Sequence, residues 1–178
     1  MRIDKFTTKF QQALADAQSL AIGSDQQFIE PQHLLLALIN QDDGGTTSLL
    51  ARAGVNVPGL KRDLEQALTR LPKVEGHGGD VSIGRDLGNL LNLTDKEAQK
   101  RGDQFIASEM FLLALGEDKG EAGRLAKQHG LSRKALEAAI IAVRGGQGVD
   151  SQEAEGQRES LKKYCIDLTE RARQGKLD

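Results

Sequence analysis

One segment of this chain is written twice. Phe28-Ile29-Glu30-Pro31-Gln32-His33-Leu34-Leu35-Leu36-Ala37-Leu38 returns as Phe105-Ile106-Ala107-Ser108-Glu109-Met110-Phe111-Leu112-Leu113-Ala114-Leu115, an offset of 77 residues counted from Phe28 to Phe105. Upstream the offset persists without gaps, pairing Phe10 with Leu87, Leu14 with Leu91 and Ala21 with Ala98. Downstream it drops to 76, pairing Leu49 with Leu125, Gly54 with Gly130, Leu60 with Leu136 and Leu64 with Ile140. Residues kept in both copies are mostly packing positions, so function is sought where the copies differ. The period exceeds that of common solenoids, which implies two folded units rather than an array.

Apolar residues recur at helical spacing almost everywhere, and no segment alternates as a half-buried strand would. A first helix is predicted over Thr8–Ile22, with Phe10, Leu14, Ala17 and Ala21 on one face. Thr7 or Thr8 can cap it, and Thr8 with Gln11 fits the reciprocal capping pattern. A second helix starts at Pro31, whose fixed φ suits a first helical position, and carries Leu34, Leu35, Leu36, Leu38 and Ile39. Asp42-Asp43-Gly44-Gly45 breaks the chain before a short third helix over Ser48–Ala53, ended by Gly54. Pro58 opens a fourth, with Leu60, Leu64, Ala67, Leu68 and Leu71 inward, and Pro72 stops it. The second unit repeats the plan over Arg85–Lys100, Ser108–Leu115, Glu121–His129 and Ser132–Val143. Four helices bury an all-round apolar second helix poorly, so the two units are expected to pack on each other.

The predicted organisation is all-α: a first repeat over 1–72, a glycine-rich inter-repeat linker over 73–84 and a second repeat over 85–145. From 146 to 157 the composition turns to Gly, Gln, Glu and Asp, which reads as a flexible connector. A last helix is predicted over 158–178, with Leu161, Tyr164 or Cys165, Leu168 and Ala172 on one face. It has no counterpart in the repeats, and its stripe is expected to lead into a further domain.

Lys plus Arg number 24 against 26 acidic residues, without long runs of one sign, so the basic face that nucleic acid requires is missing. Aromatic residues at 3% leave few platforms for stacking bases. Cys165 is the single cysteine and has no internal partner, which suits a reducing compartment. The opening Met1-Arg2-Ile3-Asp4-Lys5-Phe6 lacks a signal-peptide core, and no stretch is apolar enough to span a bilayer. A cytoplasmic location is the plain expectation, with neither nucleic acid nor membrane as partner.

Catalytic and metal signatures are missing too. There is no GxxxxGK[ST], and Gly44-Gly45-Thr46 and Gly145-Gly146 lack a phosphate-reaching lysine. His33, His77 and His129 are scattered without metal-ligand spacing. His33, in the first turn of the second helix, reads as a packing or capping residue. Asp103 and Glu109 flank Phe105 and superficially resemble paired carboxylates, but loop and first-turn acids favoured by the helix dipole account for them better. No catalytic, cofactor or metal site is expected within these residues.

The copies differ in their surplus of apolar side chains. Positions Leu90, Leu93 and Glu97 of the second unit correspond to Ala13, Asp16 and Leu20 of the first, His33 becomes Met110, and Leu34 becomes Phe111. The surplus strip either seals the contact between units or lines a groove for apolar peptide segments, with Asp103 and Glu109 as a polar rim. Three partly buried side chains contribute on the order of 3–5 kcal/mol gross, which leaves roughly millimolar binding after association costs. Such a receptor needs many copies held together.

The doubled Phe-Ile-x-x-x-(His/Met)-(Leu/Phe)-Leu-Leu-Ala-Leu signature resembles the Clp amino-terminal domain, a family built of two four-helix repeats. Asp4-Lys5-Phe6-Thr7, Gln27-Phe28-Ile29-Glu30-Pro31, Arg101-Gly102-Asp103 and the end from Leu161-Lys162-Lys163-Tyr164 to Gly175-Lys176-Leu177-Asp178 are similar to its ClpB-type members. The resemblance covers essentially the whole chain, and its terminal stretch is the segment that in those proteins precedes the first AAA+ ATPase module. It implies the substrate-recognition domain of a hexameric heat-shock disaggregase, which uses ATP and Mg in other modules and works with the DnaK system on unfolded or aggregated polypeptides. By itself this chain is expected to be a monomer without cofactor. An adaptor-docking domain of a protease-coupled Clp unfoldase is the alternative. Carried over by position, Thr7, Asp103 and Glu109 match polar positions associated with substrate handling, and Leu93 and Met110 match the apolar groove; Leu90 and Phe111 extend that strip. Position 97, usually apolar in the family's groove, is Glu97 here and shortens it, and Gln32 stands where relatives often carry Glu.

Overall fold

The computed structural model describes residues 3–76 and 79–158, so nearly all of the expected last helix lies outside the described residues. After a 3₁₀ turn at Ile3–Lys5, α1 (Thr8–Gly23), α2 (Pro31–Ile39), α3 (Gly45–Arg52) and α4 (Val57–Thr69) form the first unit. The second comprises α5 (Arg85–Lys100), α6 (Ser108–Leu115), α7 (Glu121–Gln128) and α8 (Arg133–Arg144). The all-α architecture of two four-helix units is therefore present.

Local chemistry sets the boundaries. Thr7, not Thr8, is the cap of α1, its hydroxyl accepting from the Phe10 amide at 3.2 Å. The Gln11 amide donates instead to the Phe6 carbonyl at 2.9 Å, so the reciprocal pattern with Thr8 does not form. α3 starts at Gly45, earlier than its apolar residues suggest. Gly44 turns there at φ +70°, and the Asp43 carboxylate accepts from the Gly45 amide at 3.0 Å. At the second helix the His33 ring accepts from the Glu30 amide at 2.9 Å, closing a capping box on Pro31.

Every residue of α2 and of α6 is buried. These are the two copies of the duplicated segment, and each lies at the centre of its unit. α2 touches α4, α7 and α5, while α3 packs on α8 and α4 on α7. The core is one continuous cluster from Phe6 to Ile140, with Phe6, Phe10 and Phe111 fully buried in it. Two small units with all-round apolar central helices can hide them only against each other.

A pseudo-two-fold governs the join, visible in the backbone. The chain entering α1 pairs with the chain entering α6: Phe6 bridges Ile106, and the Thr7 amide donates to the Ile106 carbonyl at 3.0 Å. Shifting each position by the repeat offset gives the second join. There β1 (Phe28–Ile29) pairs in parallel with β2 (Ser82–Ile83), and the Gly84 amide donates to the Ile29 carbonyl at 3.0 Å. Two-residue strands carry no alternation, so periodicity alone could not reveal them. A further contact closes the back of the molecule, where the Asn56 amide donates to the His129 carbonyl at 2.9 Å. Gly130, at φ +108°, lies so near Gly54 that a Cβ would stand 2.9 Å from its carbonyl oxygen.

Residues 146–157 depart from the flexible connector that their composition predicts. Gln104 and Phe105 donate their amides to the Val149 carbonyl at 2.9 and 3.2 Å, and the Thr8 amide donates to the Gln152 carbonyl at 2.9 Å. Val149 is buried, and residues 154–158 are helical. One apolar anchor and unpaired amides on the neighbouring loops hold a segment that composition marks as polar.

Candidate functional site

The N-termini of α1 and α6 lie side by side, and the polar residues singled out in the sequence gather around them. Thr7 is fully buried, Glu109 is 3% exposed, and the Asp103 side chain has no solvent contact. Residues absent from the sequence reading hold them there. Arg144 donates to both Asp103 oxygens at 3.0 and 2.8 Å, and its Nε donates to Glu109 at 3.1 Å. Arg158 donates to both oxygens of Glu109 at 2.9 and 3.2 Å. Glu155 Oε1 accepts from the Thr7 hydroxyl at 2.5 Å, from the Ser108 amide at 2.8 Å and from the Ser108 hydroxyl at 3.1 Å.

Electrostatics follow from this geometry. Burial opposes the charge on Glu109, but Arg158 and behind it Arg144 outweigh burial and hold the carboxyl below its ordinary value. Glu155 is pushed up to about 7, by burial first and by the neighbouring Glu109 second. The two acids flanking Phe105 thus end in bidentate guanidinium pairs, a positioning arrangement rather than one that passes protons to a substrate. Beside them lies a cavity of about 280 Å³, bordered by Lys9, Thr46, Arg52, Ser108, Glu155 and Arg158. Among the described residues no cluster of His, Cys, Asp or Glu is arranged to hold a metal ion.

A repeat comparison would have found Arg144. Its counterpart one offset earlier is Leu68, while Asp103 and Glu109 correspond to Gln26 and Gln32. The first unit fills the same place with neutral groups: Gln26 donates to the Leu68 carbonyl at 2.7 Å and its oxygen meets His33 Nε2 at 2.6 Å. Nothing comparable points to Glu155 or Arg158, which come from outside the repeats.

The apolar strip does not gather into a trough. Leu90, Met110 and Phe111 are core residues, with 2%, 0% and 0% exposure, and the Phe111 ring packs tilted against that of Phe10 at 6.1 Å between centroids. For Met110 and Phe111 the cause is that every residue of α6 is buried, and Leu90 lies on the buried face of α5 with Leu87 and Leu91. Of the strip only Leu93 faces out, at 41% exposure. Glu97, rather than shortening a groove, is 5% exposed and receives Arg133 at 2.9 Å and Arg101 at 2.8 Å. The Arg133 hydrogen bonds, with Arg101 adding, hold its carboxyl below the ordinary value against its own burial.

Open apolar surface exists elsewhere. Phe28, Leu71, Pro72 and Val74 line a cleft of about 270 Å³ beside Gln26, Gln27 and Glu30, and Phe28 and Val74 are 49% and 40% exposed. Ile83, on the paired strand, is also exposed.

Residues 5–129 match the family model described as the Clp repeat N-terminal domain. The whole chain is 53% identical to a chaperone protein ClpB of Vibrio cholerae and 52% identical to one of Vibrio vulnificus, covering 21% of each. It thus spans about a fifth of the length of those relatives. The N-terminal domain of Hsp104 from Candida albicans superposes with a TM-score of 0.73 at 25% identity, over 84% of this chain and 98% of that one. The duplicated helical unit, its pseudo-two-fold join and these matches agree: the chain belongs to the Clp repeat N-terminal domain family.

Proposed function

We propose that this chain is the polypeptide-recognition domain of a ClpB-type disaggregase and weakly holds exposed apolar segments of unfolded or aggregated proteins. In that reading the parent protein acts in the cytoplasm as a hexamer, hydrolyses ATP with Mg in modules outside these residues, and cooperates with the DnaK system. The identity to chaperone proteins along the full chain supports the assignment. The observation that carries the binding reading is the cleft of Phe28, Leu71, Pro72 and Val74, an open and mostly apolar surface, whereas the other exposed large apolar side chains among the described residues, such as Ile141 and Leu93, line no such cleft. An extended apolar segment fits such a cleft, and a contact of that size gives weak binding.

The test is an NMR titration of the chain with a permanently unfolded polypeptide. Shifts at Phe28, Leu71 and Val74 are expected, and Phe28→Ser should weaken binding several-fold. Shifts confined to Leu93 and its surroundings would return the site to the second repeat. Affinity for one folded protein, with none for unfolded chains, would replace substrate recognition by adaptor docking.

A further inference from the structure

Residues 149–158 belong to neither repeat, yet they complete the join between them. At the β1–β2 join the carboxylate comes from the repeat itself: Glu30 packs against Gly84, where an added Cβ would meet Glu30 Oε1 at 1.9 Å. At the pseudo-equivalent join the residue in the place of Glu30 is Ala107, and the residue in the place of Gly84 is Thr7. The carboxylate found there is that of Glu155, arriving from 47 positions beyond Ser108. Both backbone joins are otherwise alike.

We propose that residues 149–158 are a releasable strap that closes the α1–α6 join by lending it the carboxylate the second repeat lacks. Release of the strap frees Thr7 and Ser108, opens one wall of the adjoining cavity and detaches the following chain from the repeats. The strap is held at separable points: Val149 by the Gln104 and Phe105 amides, Gln152 by Thr8 and by its own amide on the Asp4 carbonyl at 2.8 Å, Glu155 by Thr7 and Ser108, and Arg158 by Glu109. Only Val149 is an apolar anchor, so little hydrophobic area opposes release. This inference does not depend on what the domain binds.

Charge decides how firmly the strap holds. The groups around Glu155 are Glu109 on α6, with Arg144 of α8 and Asp103 behind it; Lys9 on α1, Asp43 and Arg52 across the cavity; and Glu153 and Arg158 on the strap itself. Arg158 favours docking wherever Glu109 is ionised, whereas an ionised Glu155 faces Glu109. Docked, Glu155 titrates near 7, against an ordinary 4.5. The docked strap therefore keeps a proton that the released strap gives up between those values. The contribution of Glu155 to docking is complete below 4.5, is lost as pH rises towards 7 and is level above it, whereas that of the Arg158–Glu109 pair is lost in acid as Glu109 takes up a proton.

Amide hydrogen exchange on the full 178-residue chain tests this. After correction for intrinsic rates, opening at the Thr8, Phe105 and Ser108 amides should rise at least about tenfold from pH 5.5 to 7.5. Glu155→Gln keeps an acceptor without the charge, so the same amides should stay protected at both pH values. Glu155→Ala should raise their exchange about tenfold at pH 5.5 and leave the α2 amides unchanged. Unchanged protection in Glu155→Ala overturns the strap, as does a rise shared equally by α2, because the segment would then open only with the whole fold. A pH rise that persists in Glu155→Gln overturns the part assigned to this carboxylate.

Discussion

His33 shows how one buried side chain can carry a pH dependence without any catalytic role. The Glu30 amide donates to its Nδ1, so that atom bears no proton, and Nε2–H donates to Gln26. Burial lowers its pKa to about 4, against a weaker opposing effect of the backbone at Glu30. An unfolded His33 takes up a proton near 6.5 that the folded one refuses. Its contribution is therefore complete above 6.5 and is lost as pH falls towards 4, by up to about a factor of ten in the folding equilibrium per pH unit. Glu155 slopes the other way over part of this range, so the difference between proteins is the clean measure. His33→Met, which places the residue of the other repeat here, should reduce the rise of stability between pH 4.5 and 6.5 in urea unfolding. Asp103 illustrates the opposite case of a buried charge that is paired. Asp103→Ala leaves Arg144, whose side chain is 9% exposed, with Glu109 as its remaining carboxylate partner, and should lower stability by about 1–3 kcal/mol in the same assay.

Loops and helix ends, not helix interiors, distinguish the elements. Gly54 and Gly130 occupy matching positions, end matching helices and both have positive φ. Gly54 has open space where a Cβ would go, whereas a Cβ on Gly130 would stand 2.9 Å from the Gly54 carbonyl oxygen. Gly54→Ala should cost about 1–2 kcal/mol, the price of a left-handed backbone alone. Gly130→Ala should cost more, because the Asn56–His129 contact must also move, and urea titration of the two variants will rank them. Helix α5 carries a second asymmetry. Its Glu97 draws Arg133 from α8 and the C-capping Arg101 into one network, where the first repeat has Leu20. That network ties the second unit's first helix to its fourth.

At the scale of the molecule, the two repeats behave as one folding unit. The central α2 packs on α5 and α7 of the second unit, Phe111 of α6 meets Phe10 of α1, and one core cluster runs through both units. Urea unfolding followed separately at probes in α1 and in α8 should give coincident curves. Two separated transitions would show that each repeat stands alone. The strap 149–158 is the exception, with few apolar contacts and several backbone bonds near the surface, and belongs at the low end of local stability.

Helix content, the central place of the doubled segment and the need for two units to pack together were all legible from apolar spacing, because that pattern is local and survives in both copies. Thr7, Asp103 and Glu109 were legible as a group only through resemblance, since their meeting depends on helix ends distant in sequence. The choice between a sealed and an open apolar strip could not be read from one dimension. Leu90 and Leu93 stand on the same helix with similar side chains, and only the neighbouring helix decides that one is hidden and the other exposed. Composition makes Glu155 part of a flexible connector and Arg158 the start of a last helix because polarity predicts solvent, whereas the Ser108 amide and the Glu109 carboxylate on a distant element give them a place. The chain by itself thus determined which elements form and that they come in two matched sets; tertiary structure alone determined which faces remain free, because exposure is a property of neighbours rather than of residues.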